Sequence, residues 1–239
     1  MSIPEVIAAH PITTIADVVR VMRAIDAALP DSDGVKWFNL LYLRVTESVL
    51  DVPPQWEDEA WLAHLDIVFA KLYFDALLQP DSPSRAWRPL LETRQRSGIA
   101  PIQFALAGMN AHINHDLPLA VVQTCTERGV PPASGTPQHR DFVRVDGLLE
   151  TVEGQVKDFL ATGLVGHLDR QLWRVDDVVA IWKMRKARAT AWNNAEVLWH
   201  LRHAQVPRQL FVGNLANLVE LSSRGLLVPV TKTWLDEPF

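Results

Sequence analysis

Apolar residues recur along most of this chain at spacings of three and four, the period of an α-helix that turns one face to a core. Phe38, Leu41, Tyr42, Val45 and Val49 fall at that spacing, and residues 31–34 supply start signals, so a helix is predicted over 35–50. It has to stop at Asp51, ahead of Pro53 and Pro54, because proline lacks the backbone donor and clashes with the preceding turn. Trp61, Leu65, Val68, Leu72 and Ala76 predict a second helix over 57–79, with Glu57, Asp58 and Glu59 suited to the positive end of its dipole. Pro80 ends it and a turn follows over 81–83. The same reasoning predicts helices over 85–96, 100–127, 141–164, 175–202 and 208–222, the last ending at Gly225. Pro118 must kink or break the long helix 100–127. Residues 129–137 hold three prolines and two glycines and read as the one long loop. Only 226–231 looks strand-like, and since a lone strand has no partner an extended tail is predicted there. The expected fold is therefore all-α, a single-domain multi-helix bundle over 1–239 with about seven helices, one of them kinked at Pro118.

Composition agrees with a globular chain: of 239 residues, 48% are hydrophobic and 21% charged, enough apolar material to bury a core. A net charge of -5 leaves no excess of positive charge for a phosphate backbone, so nucleic acid is not an expected partner. The basic cluster Lys183, Arg185, Lys186 and Arg188 is read as a solvated helix face. The single cysteine, Cys125, stands between threonines with no histidine beside it and is read as packing. Residues 1–10 lack the basic-then-apolar pattern of a signal peptide, and no apolar run approaches the roughly 18 residues that span a bilayer. A cytoplasmic protein without a membrane partner is expected. No Gly-rich phosphate loop, Gly-x-Ser-x-Gly elbow or pair of cysteines is present, which argues against kinases, dehydrogenases and ordinary esterases.

Chemistry concentrates in Gly108-Met109-Asn110-Ala111-His112-Ile113-Asn114-His115-Asp116-Leu117-Pro118. The apolar stripe Ile102, Ala105, Leu106 and Met109, continued at helical spacing, lands on His112, Ile113 and Asp116, which turns an imidazole and a carboxylate toward the interior. Buried polar groups without partners cost about 2 to 7 kcal/mol each, so these must be paired, hydrated or bound to something. One solution is a divalent metal, zinc or iron, since His and Asp at i and i+4 can reach one ion. A second is a general acid/base pair, with His115 as a further catalytic candidate. A third is a core polar network in which His112 and Asp116 simply hydrogen-bond each other. Pro118 cannot bond the carbonyl of Asn114, which frees that oxygen. Around this segment, Asn110 and Asn114 are candidate ligand contacts. Asn39, Tyr42 and Thr46 line up on one helix as a cavity wall or as ordinary interhelical bonds. Asp141 and His64 are candidate further metal ligands, against a helix N-terminal acid and a satisfied core histidine. Trp192 walls an apolar pocket or fills the core, in a chain with nine tryptophans.

The motif Gly108 to Pro118, with Trp37-Phe38-Asn39-Leu40-Leu41-Tyr42-Leu43-Arg44-Val45-Thr46, Arg140-Asp141-Phe142-Val143-Arg144-Val145 and Ala191-Trp192, resembles an uncharacterised actinobacterial family of helical proteins, a domain of unknown function. The resemblance covers most of the chain and brings no activity with it. His112, Asp116 and Pro118 are also similar in order to the His-x-x-x-Asp pair and following proline of the zinc-dependent phospholipase C and P1 nuclease group, which would imply metal ligation by the first two. The chain is thus expected to be an enzyme acting on a small apolar or amphipathic substrate, by metal-assisted hydrolysis in the first instance. The absence of a Glu-x-x-His pair argues against a ferritin-like di-iron site. The alternative is a non-catalytic helical module that binds a small molecule or a protein. A homo-oligomer is compatible with either.

Overall fold

Two helices that the apolar spacing did not predict come first. In the computed structural model, which describes residues 2–50, 55–79, 82–159 and 184–229, the chain forms α1 (Ile3–Ala8) and then α2 (Ile15–Ala28). Thr14 starts α2 by a reciprocal cap: its hydroxyl accepts the Asp17 amide at 3.1 Å, while Asp17 accepts the Thr13 and Thr14 amides at 3.0 and 2.9 Å. Val18, Val21, Met22 and Ile25 of this helix are buried. Then follow α3 (Gly34–Leu50), α4 (Glu59–Leu78), the short α5 (Arg88–Thr93), α6 (Pro101–Ala111), a π-helical turn (His112–Asp116), α7 (Leu117–Arg128), α8 (Pro137–Phe159), α9 (Met184–His200) and α10 (Gln205–Leu226). Among the described residues there is no strand, and the all-α expectation holds. No helix of those residues is long and apolar enough to cross a membrane.

The bounds differ from the sequence reading in instructive places. α10 runs through Gly225 instead of stopping there, and the glycine that does adopt the left-handed conformation at a helix end is Gly129, with φ 68°, after α7. α8 begins at Pro137, as suits a residue with no amide to lose, so Asp141 lies within it. The parts of the predicted helices at 160–164 and 175–183, the stop signals Asp51, Pro53, Pro54 and Pro80, and residues 230–231 of the tail lie outside the described residues.

α6, the π turn and α7 form the spine of the molecule. α6 packs against α3 and α10, and α7 against α4 and α9. The α3–α6 crossing is close because two glycines face two phenylalanines. A Cβ on Gly34 would stand 2.4 Å from the Phe104 ring, and one on Gly108 would stand 2.3 Å from Phe38. With no side chain at 108, Phe38 settles into the spine next to the π turn, its ring centroid 5.6 Å from that of His112.

Candidate functional site

The π turn follows from Pro118. Without an amide on Pro118 the helical ladder cannot continue in register, and the Leu117 amide bonds the carbonyl of His112, five residues back. One extra residue is accommodated per turn, and His112, His115 and Asp116 are all buried within it. The break expected at Pro118 is thus a widening of the turn before it.

Asp116 collects three donors. Trp87 Nε1 donates to Oδ2 at 2.8 Å, His115 Nδ1 to Oδ1 at 2.8 Å, and His112 Nδ1 approaches Oδ2 at 3.4 Å. Burial works to raise its carboxyl pKa, but the bonds from His112 and His115 outweigh it and hold the pKa below the ordinary value. Asp116 is therefore ionised and can only accept. For His112 the balance is the reverse: burial outweighs the pull of Asp116 and keeps the imidazole pKa below 6.5. A neutral imidazole has one N–H, and that N–H faces Asp116. Nε2 is left as a lone pair, fully buried and without a hydrogen-bond partner among the described residues.

The His112 ring is clamped in place. Phe69 of α4 stacks on it face to face, with centroids 3.5 Å apart and planes 3° apart, and Tyr42 of α3 meets it edge-on at 4.6 Å. His112, Tyr42 and Phe69 form one wall of a cavity of about 100 Å³. Apolar side chains make up most of the rest, from Ile15 and Val18 of α2 to Val145 and Leu149 of α8 and Met184 of α9. Among the described residues the polar lining is Tyr42, Thr46, Asp66, His112 and Arg188. Tyr42 has no hydrogen-bond partner for its hydroxyl among the described residues, and burial raises its pKa well above 10, so it stays a donor. Thr46 donates to the carbonyl of Tyr42 at 2.9 Å.

Asp66 and Arg188 were not singled out in the sequence as site residues, and Arg188 was assigned to a solvated face. That assignment is corrected here: Arg185 and Lys186 are exposed, but Arg188 is buried. Its Nε donates to Asp146 at 2.5 Å and its Nη2 to the Phe142 carbonyl at 2.9 Å, and the guanidinium lies 4.3 Å over the Phe142 ring. Asp66 makes no hydrogen bond with the described residues, and burial pushes its carboxyl up to about 7, against which Arg188 acts weakly. Both residues had a signal in the chain: Asp66 has Leu62, Ala63, Phe69 and Ala70 at helical spacing, and Arg188 has Met184, Ala191 and Trp192. Trp87 is the other residue missed, since nothing local ties it to Asp116.

The remaining candidates stand elsewhere. Asn39 bridges helices, donating to the Met22 carbonyl at 2.9 Å and accepting from the Tyr73 hydroxyl at 3.3 Å. Asn110 donates to the Val219 carbonyl and the Ser223 hydroxyl of α10, and accepts from Asn114 at 2.9 Å. Trp192 packs among Trp61, His139 and Phe142, with its N–H on Glu196. His64 pairs with Glu127 at 2.5 Å. Asp141 is fully buried and accepts the amides of Glu57 and Asp58 at 2.9 and 2.7 Å, so it serves a helix N-terminus, that of α4. Cys125 is buried and its thiol is pushed up to about 11, in keeping with a packing role.

Among the described residues no three His, Cys, Asp or Glu side chains stand together as a metal would need, so the ligand set implied by a zinc phospholipase-like site does not assemble there. No curated protein matches this chain. No solved structure matches it either. A family model described as a family of unknown function (DUF5995) matches residues 15–229, and a match over that much of the sequence means that the chain belongs to this family.

Proposed function

We infer that the cavity takes up a small apolar or amphipathic molecule and that His112 acts on it as a general base in a hydrolytic reaction. The observation that carries this is His112 Nε2. It is a buried lone pair on a residue of a mostly apolar wall, oriented through Nδ1 by an ionised carboxylate that is itself held by two further donors. Among the described residues four buried side-chain atoms lack a partner, on Asp26, Trp61, His112 and Thr124, and of these residues His112 alone lines the cavity.

In such a reaction a water bonded to Nε2 gives its proton to the imidazole as its oxygen attacks an ester or amide carbonyl. Asp116 stabilises the imidazolium, and the proton then passes to the leaving group. Tyr42, a donor whose hydroxyl has no partner among the described residues, is the lining group suited to the developing oxyanion. A zinc or iron version of the reaction has fewer residues in its favour: of the expected ligands His112, Asp116, Asp141 and His64, only His112 lines the cavity. The rival, a binding module without catalysis, keeps the cavity and dispenses with the base.

The test is turnover of a panel of small aryl esters and anilides by wild type, His112→Gln and Asp116→Asn, each in EDTA and again with added zinc. The expected result is turnover that survives EDTA and falls about 10²- to 10⁴-fold in His112→Gln, the usual worth of a positioned base. Turnover unchanged in a folded His112→Gln protein would overturn the reading, and turnover seen only with zinc would replace the base by a metal. No turnover in any case would leave the binding module.

A further inference from the structure

The cavity carries its own indication of what kind of molecule it takes, and this inference rests on reading it as a ligand site. Its polar lining is unequal in charge. Arg188 is already neutralised: Asp146 holds its Nε, the Phe142 carbonyl holds Nη2, and the Phe142 ring lies beneath its guanidinium. Asp66, on the same lining, has no hydrogen bond among the described residues and no ion pair. Asp116 adds a second carboxylate directly behind the His112 ring, and His112 itself contributes a lone pair and no charge. The groups that face Asp66 or stand behind the wall it shares are Tyr42 from α3, His112 and Asp116 from the π turn, Asp146 from α8 and Arg188 from α9. Counted as charges among the described residues, these and Asp66 itself comprise three acids against one base.

We propose that the ligand of this cavity is a small apolar amine, its ammonium group paired with Asp66 and its hydrocarbon body against Phe69, Tyr42 and the aliphatic wall. An ammonium supplies what the lining lacks. It neutralises the lining carboxyl that has no hydrogen bond among the described residues, it offers N–H to an acceptor-rich wall, and it gains from the aromatic faces of Tyr42 and Phe69. A carboxylate ligand would enter beside Asp66 with Arg188 already engaged, and like charges at close range in a poorly hydrated site repel strongly. A neutral ligand would leave Asp66 as it is. The raised pKa of Asp66 points the same way, because a cation beside it would favour the ionised form that burial disfavours. The size is suitable: about 100 Å³ is of the order of the ~150 Å³ engineered apolar cavity that takes up benzene.

Three probes of nearly one shape separate the cases. Benzylamine, benzyl alcohol and benzoate are titrated into the full chain at pH 8 by calorimetry, with wild type and Asp66→Asn. Benzylamine is expected to bind wild type at least about tenfold more tightly than benzyl alcohol, and benzoate more weakly than either. Asp66→Asn should erase the amine preference and leave benzyl alcohol within about twofold of wild type. Because Asp66 has no hydrogen bond among the described residues, this variant is expected to fold, and thermal melting checks that it has. Benzylamine binding no better than benzyl alcohol, or keeping its advantage in Asp66→Asn, overturns the proposal while the cavity remains a ligand site. Benzoate binding best overturns it in favour of Arg188. If none of the three binds, the amine proposal and the reading of the cavity fall together. Turnover by His112 is a separate readout and does not enter these outcomes.

Discussion

Asp116 and Asp66 are two carboxylates withdrawn from bulk water within one cavity region, and they have been treated in opposite ways. Asp116 receives N–H groups from Trp87, His115 and His112, and its pKa is held below the ordinary value in spite of its burial. Asp66 receives none from the described residues, and burial lifts it to about 7 against a weak pull from Arg188. Desolvation is common to both; the difference lies in the hydrogen-bond donors aimed at one and withheld from the other. A carboxylate with three donors ties elements together, here α5 and the π turn. A carboxylate left bare on a cavity wall destabilises the fold that holds it, and such a group is the usual mark of a binding or catalytic site.

The sharpest way to break this comparison is to remove the satisfied member. Asp116→Ala strands three buried donors and should lower the free energy of unfolding by about 3 to 5 kcal/mol, read from urea denaturation. A loss under about 1 kcal/mol would mean that the cluster is not holding the spine. The bare member should behave in the opposite sense. Its pKa is raised in the folded state, so folding is favoured while the carboxyl is protonated and becomes less favourable as pH rises from near 3.8 toward 7. Asp66→Asn removes that penalty. The variant should exceed wild type by about 1 to 3 kcal/mol at pH 8, with the gain shrinking toward pH 5; a gain independent of pH, or a loss, would contradict the ascribed cause. The smallest effect is expected at His64, whose partner Glu127 is exposed. His64→Ala should change stability by less than about 0.5 kcal/mol and leave both ligand binding and turnover alone, which the same melting and titration series records.

Much of the spine was legible in the chain. The alignment of His112 and Asp116 on an inward face, the break ahead of Pro118 and most helices from 35 onward follow from spacing alone. What spacing missed at the start was α2, whose Thr14 and Asp17 cap stood in the sequence as a Thr-x-x-Asp pair before an apolar run. At the site the omissions share a cause. Asp66 and Arg188 each lie among apolar neighbours on their own helix, but a charge inside an apolar stripe reads as surface until something covers it. Of the other candidates, Asn39 and Asn110 bridge helices and Asn114 bonds Asn110, while Asp141 serves a helix N-terminus and Trp192 fills the core, the structural readings that the sequence had offered for Asn39, Asp141 and Trp192.

What the sequence determined by itself is what depends on near neighbours along the chain. Helical period, proline's missing amide and the one-turn spacing of His112 and Asp116 act within a few residues, and backbone geometry carries them directly into structure. Tertiary structure decided the electrostatics. Trp87 reaches Asp116 across 29 positions and Arg188 reaches Asp146 across 42, while Asp66 has no hydrogen bond among the described residues. Whether a buried charge is satisfied, compensated or bare depends on groups brought close by packing, because these short-range bonds act through space and take no account of distance along the chain.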